Sequence, residues 1–426
     1  MTLKVLHSAD LHFSISIDKL PEVVRTTDAL LVQARAEQPD VIVLAGDTVD
    51  EYDGRIRLDS DCARAAISFV QEAANIAPVV IIRGTKSHDR ESPYFFQHLR
   101  ARNPIHVATS IEQVALVRND MDAHAYFYEW RPLTDPRMVH SDRVVAVFSL
   151  VPSLDKSQLL AHMDASIAGG NIVFRELVHD LFAGFGLVND ACQCPTFLVT
   201  HGMLTGAVFS SGQTAVGEDL EFGLSDLHAA KASAVLLGHV HKHQVFPGNV
   251  AYPGSPGRLN FGEQEDKGFL VWDCEGQAVL DMRFLPLPAR RFCFGAVEWD
   301  GSAETILAEA RRVAADCSGA DVRFRYSIPE EERLSIDRFA LESLFLGAGA
   351  NRAKIEMNVI PKQRTRAEGI SKLETLPDKV LSWGTVVGEE IPADVLLLAG
   401  RIEGLSAEEL LAEARALAMG EVSGGK

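Results

Sequence analysis

The sequence has no apolar run near the ~20 residues that a membrane-crossing helix requires. Its opening, Met1-Thr2-Leu3-Lys4-Val5-Leu6-His7, reads directly as a strand and lacks the pattern of a secretory leader. A cytosolic location, away from membranes, is therefore expected. Basic charge is short as well: 41 lysines and arginines face 59 aspartates and glutamates, a formal net charge of −18. The broad basic footprint of a typical nucleic-acid binder is thus missing, yet local patches and bound divalent cations still attract phosphate. Cysteine is sparse, with Cys62, Cys192, Cys194, Cys274, Cys293 and Cys317 scattered along the chain. In a reducing compartment such thiols serve as small buried hydrophobes. Cys192-Gln193-Cys194 has no second pair to complete a zinc site, so it too reads as structural. There is no internal repeat.

What is present suits a soluble enzyme. The 426 residues allow two or three domains, with 47% hydrophobic and 23% charged residues. Apolar runs at 3–8, 41–45, 78–82, 144–150, 196–200 and 234–237 read as strands. Helical periodicity lies between them, from Pro21, over 60–76 and over most of 157–188. Strands alternating with helices predict an α/β layered core. Short pieces at 250–252 and 268–272 read as antiparallel additions, and Leu285-Pro286-Leu287-Pro288 as a boundary. Strand (292–299), helix (303–315), strand (321–328), helix (334–347) and strand (353–360) then predict a small α+β domain. The tail is broken by Pro377, Gly384 and Pro392, and Ser406 to Glu409 reads as a capping box for a last helix carrying Leu410, Ala414 and Leu417. The expected domains are 1–288, 289–362 and 363–426.

The stretch Ala234 to His241 organises the rest. Four apolar residues end at Gly238, where a small residue lets the backbone bend toward a ligand, and His239 and His241 follow. Earlier strands end the same way, in Asp10, His12, Asp47, His88 and His201. Ligands of open α/β sheets bind beyond the carboxyl ends of the strands, so one fold can gather all seven. Any one of them alone is ordinarily a turn residue or a cap. Together, aspartate and imidazole donors in this number suit a pair of first-row divalent ions, such as manganese, zinc or iron. Two such ions clamp the attacking and leaving oxygens at phosphorus, with Asp47 bridging them. His7, His124, His228 and His243 lack this context and read as structural or surface residues. Basic spots at Lys242, Arg258 and Lys362 to Arg366 are ordinarily solvated faces.

The series Asp10-x-His12, Gly46-Asp47, His88-Asp89, His201 and Gly238-His239-x-His241 resembles the calcineurin-like metallophosphoesterase superfamily. Within it, Gly238 to Gln244, the run Tyr252 to Glu263 and Lys267-Gly268-Phe269 resemble the SbcD-type DNA repair nucleases. The resemblance covers roughly residues 1–285. It implies an α/β sandwich of two β-sheets flanked by helices, with an α+β cap that binds DNA and a helical C-terminal tail. It implies two divalent metal ions, typically Mn2+. Asp10, His12, Asp47 and His241 would hold one ion, and Asp47, His201 and His239 the other. His88, beside Asp89, would act on the phosphate in the transition state. Substrate and partner would be DNA and an SbcC-type ATPase bound by the tail, with a homodimer left open.

The chain departs from the family at its third strand, where Gly-Asn-His-Asp or Gly-Asn-His-Glu places the asparagine carbonyl on the second metal. Here the run is Gly84-Thr85-Lys86-Ser87-His88-Asp89. Aligned on His88-Asp89, Ser87 takes the asparagine position as a metal ligand and Thr85-Lys86 is an insertion. Lys86 and Arg258 are then candidates for meeting the substrate phosphate. Two alternatives to a DNA nuclease are a phosphodiesterase for small nucleotides and a DNA-end scaffold with weakened catalysis.

Overall fold

The computed structural model describes residues 2–411, apart from 53, 121–125, 135, 154–166, 211, 212, 214–220 and 362–368. The expectations for His124, for Lys362 to Arg366, for Ala414 and Leu417, and for the first part of the 157–188 helix lie outside the described residues.

The chain opens with β1 (Thr2–Ser8), a short β2 (Phe13–Ser14), α1 (Leu20–Glu37), β3 (Val41–Ala45), a short β4 (Val49–Asp50), α2 (Asp61–Ile76) and β5 (Val79–Ile82). β6 (Ile105–Ala108), β7 (Glu112–Asp120), β8 (Tyr126–Pro132), β9 (Val144–Val151), α3 (Ile167–Asn189) and β10 (Thr196–His201) follow. Then come β11 (Met203–Leu204), β12 (Glu221–Phe222), α4 (Leu224–Ala229), β13 (Ala234–Gly238), β14 (Gln244–Phe246), β15 (Val250–Tyr252), β16 (Lys267–Glu275) and β17 (Ala278–Leu287). They form a six-stranded sheet in the order β17-β16-β1-β3-β5-β6 and a seven-stranded sheet in the order β14-β15-β13-β10-β9-β7-β8.

The apolar runs explain this arrangement. Every residue of β3, β5 and β13 is buried, as expected for parallel strands covered on both faces. Alternate side chains divide between two cores, because successive residues of a strand point to opposite faces. Val41, Val43, Val80 and Ile82 meet Phe148, Phe197, Val199 and Leu236 of the second sheet. Ile42, Leu44, Val79 and Ile81 instead pack under Val23, Leu30, Phe69 and Ala73 of α1 and α2. On the far side, Leu198, Val235 and Leu237 pack with Phe182 and Phe185 of α3. The result is the expected sandwich of two sheets flanked by helices. Pro21 in the first turn starts α1, and the Ser60 hydroxyl accepts the Ala63 amide to cap α2.

Two features differ from expectation. β6 to β8 have no counterpart among the expected strands, and β17 runs through the segment read as a boundary. β17 is an edge strand, where Pro286 is tolerated because a proline there deprives no second neighbour of a donor. Past it, β18 (Arg291–Val297), β19 (Ala320–Pro329) and β20 (Arg352–Ile360) form a three-stranded sheet, with α5 (Ala303–Ala314) and α6 (Arg338–Gly347) between them. α7 (Leu376–Val387) and α8 (Ala393–Ile402) follow. The chain divides into two compact units, one of Met1–Ala296, Ala308–Phe324 and Phe339–Ile355, the other of Val297–Leu307, Arg325–Arg338 and Glu356–Lys426. Among the described residues no helix is long and apolar enough to cross a membrane.

Candidate metal centre

The carboxyl ends of β1, β3 and β5 in one sheet and of β10 and β13 in the other converge. Their backbone is turned sharply there. Asp10, His12, Asp47 and His239 all have positive φ, at 55°, 55°, 47° and 105°, a conformation that costs a non-glycine residue of order 1–3 kcal/mol. Hydrogen bonds between the strand ends hold it: Asp10 N–H donates to Gly46 O at 3.1 Å and His12 N–H to Asp47 O at 3.0 Å. The His239 amide donates to both oxygens of Asp10, at 3.0 and 3.1 Å. Glycine is required where strands crowd. A Cβ on Gly238 would collide with the Ala45 carbonyl and the His201 ring, and one on Gly84 with Asp47 itself.

Six of the seven strand-end residues fall into two sets of converging donors, Asp10 with His12 and His241, and Asp47 with His201 and His239. All six are buried. The His201 Nδ1–H donates to Ala45 O at 2.8 Å, which turns Nε2 to Asp47 Oδ2 at 3.3 Å; burial lowers the His201 pKa, but the Asp47 charge overcomes it and raises it to about 10, so with no cation bound the pair is ionic. His12 and His241 face each other through their Nε2 atoms at 3.0 Å. Buried polar atoms are normally hydrogen-bonded, but His12 Nδ1 and His201 Nε2 have no hydrogen-bond partner among the described residues. Each lies near a carboxylate, His12 Nδ1 4.0 Å from Asp50 Oδ2 and His201 Nε2 3.3 Å from Asp47 Oδ2, and such atoms fit divalent cations. Burial, helped by the neighbouring His88 and His241, pushes His12 well below the ordinary histidine range, which favours the neutral form that a metal site requires. Burial also raises Asp10, whereas for Asp47 the adjacent His201 outweighs burial and holds the carboxyl well below its usual range.

The seventh residue, His88, has a different partner. Its Nδ1–H donates to Asp50 Oδ1 at 2.8 Å, and its ring stands edge-on to His12 with centroids 4.7 Å apart. Burial lowers the His88 pKa, but the Asp50 hydrogen bond and the charges of Asp47, Asp50 and Asp89 overcome it and raise it to about 9. Asp50 also joins His12 and His88 in a third group of converging donors. Sequence reasoning missed it. The only signal was its place three residues after Asp47 in a strand of two residues.

Asp89, expected to act beside His88, has a structural place as well. Asp89 is buried and accepts the amides of Val49 at 2.9 Å and Gly84 at 2.6 Å, so it fastens the two loops that carry Asp47 and His88. Burial, with the Asp47 charge, pushes its carboxyl up to about 7. The alignment that put Ser87 in the asparagine place is also overturned. Ser87 is exposed, with its hydroxyl 3.4 Å from Thr85 Oγ1. Thr85 is the residue at Asp47: its amide donates to Oδ1 at 2.6 Å, and its hydroxyl lies 3.0 and 3.2 Å from Oδ1 and Oδ2. The extra residues are therefore Lys86 and Ser87, after Thr85, and Lys86 is exposed. Arg258 is corrected too. Its guanidinium donates to the carbonyls of Gln264 (2.8 Å), Arg290 (3.0 Å) and Glu265 (3.1 Å), which commits it to holding its own loop rather than a substrate phosphate.

The chain is 22% identical over 304 residues to the SbcD component of the nuclease SbcCD from Staphylococcus epidermidis, covering 68% of this chain and 71% of that protein. A dimetal phosphatase from Danio rerio aligns with 67% of this chain and 99% of its own at 10% identity, with a TM-score of 0.36. The calcineurin-like phosphoesterase family matches residues 3–243, a span that runs over more than half of the chain and takes in both donor sets. A metal-dependent phosphoesterase with places for two divalent ions is thus what the strand ends build, and the chain belongs to the calcineurin-like phosphoesterase family.

Proposed function

We propose that this phosphoesterase is a DNA nuclease, which hydrolyses phosphodiester bonds at DNA ends with two Mn2+ ions and works beside an SbcC-type ATPase in the cytoplasm. The observation that carries the chemistry is His88, hydrogen-bonded to Asp50 and standing beside two sets of converging aspartate and histidine donors. Relatedness to the SbcD component of SbcCD carries the substrate class. Asp10, His12, Asp47 and His241 hold one ion, and Asp47, His201 and His239 the other. Bound ions of this kind lower the pKa of water and offset charge on the phosphate.

The protein's own groups do the rest. Thr85 keeps the Asp47 carboxylate in one orientation. Asp50 occupies His88 Nδ1, so the proton on Nε2 is the one His88 offers to the leaving oxygen as the P–O bond breaks. Asp89 holds the His88 loop against the Asp47 loop. Exposed Lys86 is suited to meeting the phosphodiester backbone, and the segment 289–362 to carrying DNA. The tail is the proposed ATPase contact. Leu381, Trp383, Val386 and Val387 of α7 and Val395 and Leu397 of α8 are exposed, and amphipathic helices of this kind dock into a partner's groove.

Purified protein assayed with Mn2+ on linear duplex, plasmid and a chromogenic phosphodiester tests the reading. DNA is expected to be cut, chelator to stop it, and His88→Ala to slow it ~10²–10⁴-fold with metal content unchanged. Turnover of the chromogenic ester alone favours a small-nucleotide phosphodiesterase, and turnover of neither favours a scaffold. Truncation after residue 362 should abolish co-purification with the ATPase and spare simple substrates.

A further inference from the structure

Two buried charges behind His241 take no part in the chemistry above. Lys267 is 1% exposed, and its ammonium lies 2.9 Å from the His241 carbonyl, 3.1 Å from Ser255 Oγ, and 2.9 Å from both Glu265 Oε1 and Glu263 Oε2. Glu263 is fully buried. Its Oε2 also accepts the Leu259 amide at 3.1 Å, while its Oε1 accepts the Asn260 side-chain amide at 3.2 Å and His241 Nδ1–H at 3.3 Å. A buried lysine needs one carboxylate to balance it. Here there are two, and the surplus charge is turned toward the histidine.

We infer that Glu263, held in place by Lys267, is a positioning residue that fixes the tautomer and basicity of His241, and thereby sets the affinity of one of the two metal positions. The inference rests on His241 being a ligand. A carboxylate can only accept from Nδ1, so the His241 lone pair is placed on Nε2, the nitrogen that faces His12 at 3.0 Å. Lys267 grips the His241 carbonyl as well, so one ion pair holds both the ring and the backbone of this residue. The other set is oriented differently: His201 Nδ1–H meets the neutral Ala45 carbonyl. Carboxylate partners of metal-binding histidines strengthen the ligand, and their loss typically costs 10–100-fold in metal affinity. The two positions should therefore respond unequally to loss of the Glu263 charge.

The test uses the full chain, stripped with chelator and titrated with Mn2+ by calorimetry and paramagnetic resonance. Glu263→Gln keeps an acceptor of the same shape without the charge. It is expected to weaken one ion by about 10–100-fold and leave the other within about threefold. Because this variant changes the charge balance around Lys267, which keeps Glu265 at 2.9 Å, Glu263→Gln/Lys267→Met is measured beside it. The double variant should recover the metal-free melting temperature and keep the one-ion defect. Two ions bound as in the parent by Glu263→Gln would overturn the inference. So would equal weakening of both ions together with a lowered metal-free melting temperature, the mark of a purely structural pair. His241→Ala is the control: if it binds both ions like the parent, His241 is not a ligand, and it is the underlying assignment that fails.

Discussion

Asp50→Asn removes one charge from the pair that keeps His88 protonated, and the effect can be sized. His88 is raised from the ordinary 6.5 to about 9 by Asp50 together with Asp47 and Asp89, and at 1.36 kcal/mol per unit the whole shift, an upper bound on the Asp50 share, is roughly 3 kcal/mol. The His88 side chain is 27% exposed, so solvent screening reduces the value to about 1–3 kcal/mol. The sign follows from linkage. A histidine with a raised pKa contributes its full stabilisation below its unfolded value near 6.5, and loses it as pH rises through about 9. Asp50 is depressed below its ordinary range: burial opposes this, but the hydrogen bond and charge of His88, with the nearby Lys19, prevail. From the carboxylate side, the same pair is complete above about 3.8 and fades as pH falls further. Chelator-treated parent protein should thus lose about 1–3 kcal/mol of unfolding free energy, relative to Asp50→Asn, between about pH 6.5 and 9. Denaturant unfolding across that range measures it, and a proton-resonance titration of His88 gives its midpoint directly. Parallel stability curves for the two proteins, or a His88 midpoint near 6.5, would refute the reasoning.

Further outcomes follow from other contacts. Asp47→Ala should abolish hydrolysis and reduce bound Mn2+ from two ions, read by elemental analysis beside the assay; full activity would place the centre elsewhere. Thr85→Ala frees the Asp47 carboxylate and should raise the Mn2+ requirement, whereas Ser87→Ala should leave rate and requirement within about twofold, a few tenths of a kcal/mol of barrier. Tyr252→Phe strips the hydroxyl that donates to Gly202 O at 2.7 Å and accepts the Leu204 amide at 2.8 Å. Leaving those backbone groups unpaired should cost about 1–3 kcal/mol in unfolding.

The parts of this molecule legible in the sequence were those with one physical cause. Val41 to Ala45 and Ala234 to Gly238 are buried on both faces, so their apolar runs alone announce parallel strands. The six clustered aspartates and histidines were legible because each follows such a strand. β8 was hidden because its residues are half-buried or exposed and its composition mixes aromatics with Glu129 and Arg131. Asp50, Thr85 and Glu263 act through contacts made across 38, 38 and 22 residues of chain, and no local pattern encodes a partner that distant. The Ser87 alignment failed for a related reason: matching outward from His88 ignored Gly84, whose missing Cβ fixes the loop against Asp47.

β1 sits between β3 and β16, with Leu3 to His7 paired to residues 270–274 on one side. The partner on that side is made some 230 residues after β3. At synthesis rates of about 5–20 residues per second, the gap is on the order of ten to fifty seconds. Throughout it, a growing chain that has already paired β1 with β3 carries a bare strand edge of unpaired amides and carbonyls. The ions cannot shorten the wait, since His239 and His241 emerge only shortly before β16. Lys4 is the one charge on that edge. The first sheet is therefore completed only after β16 has been made, and until then this edge is the one that pairing leaves open.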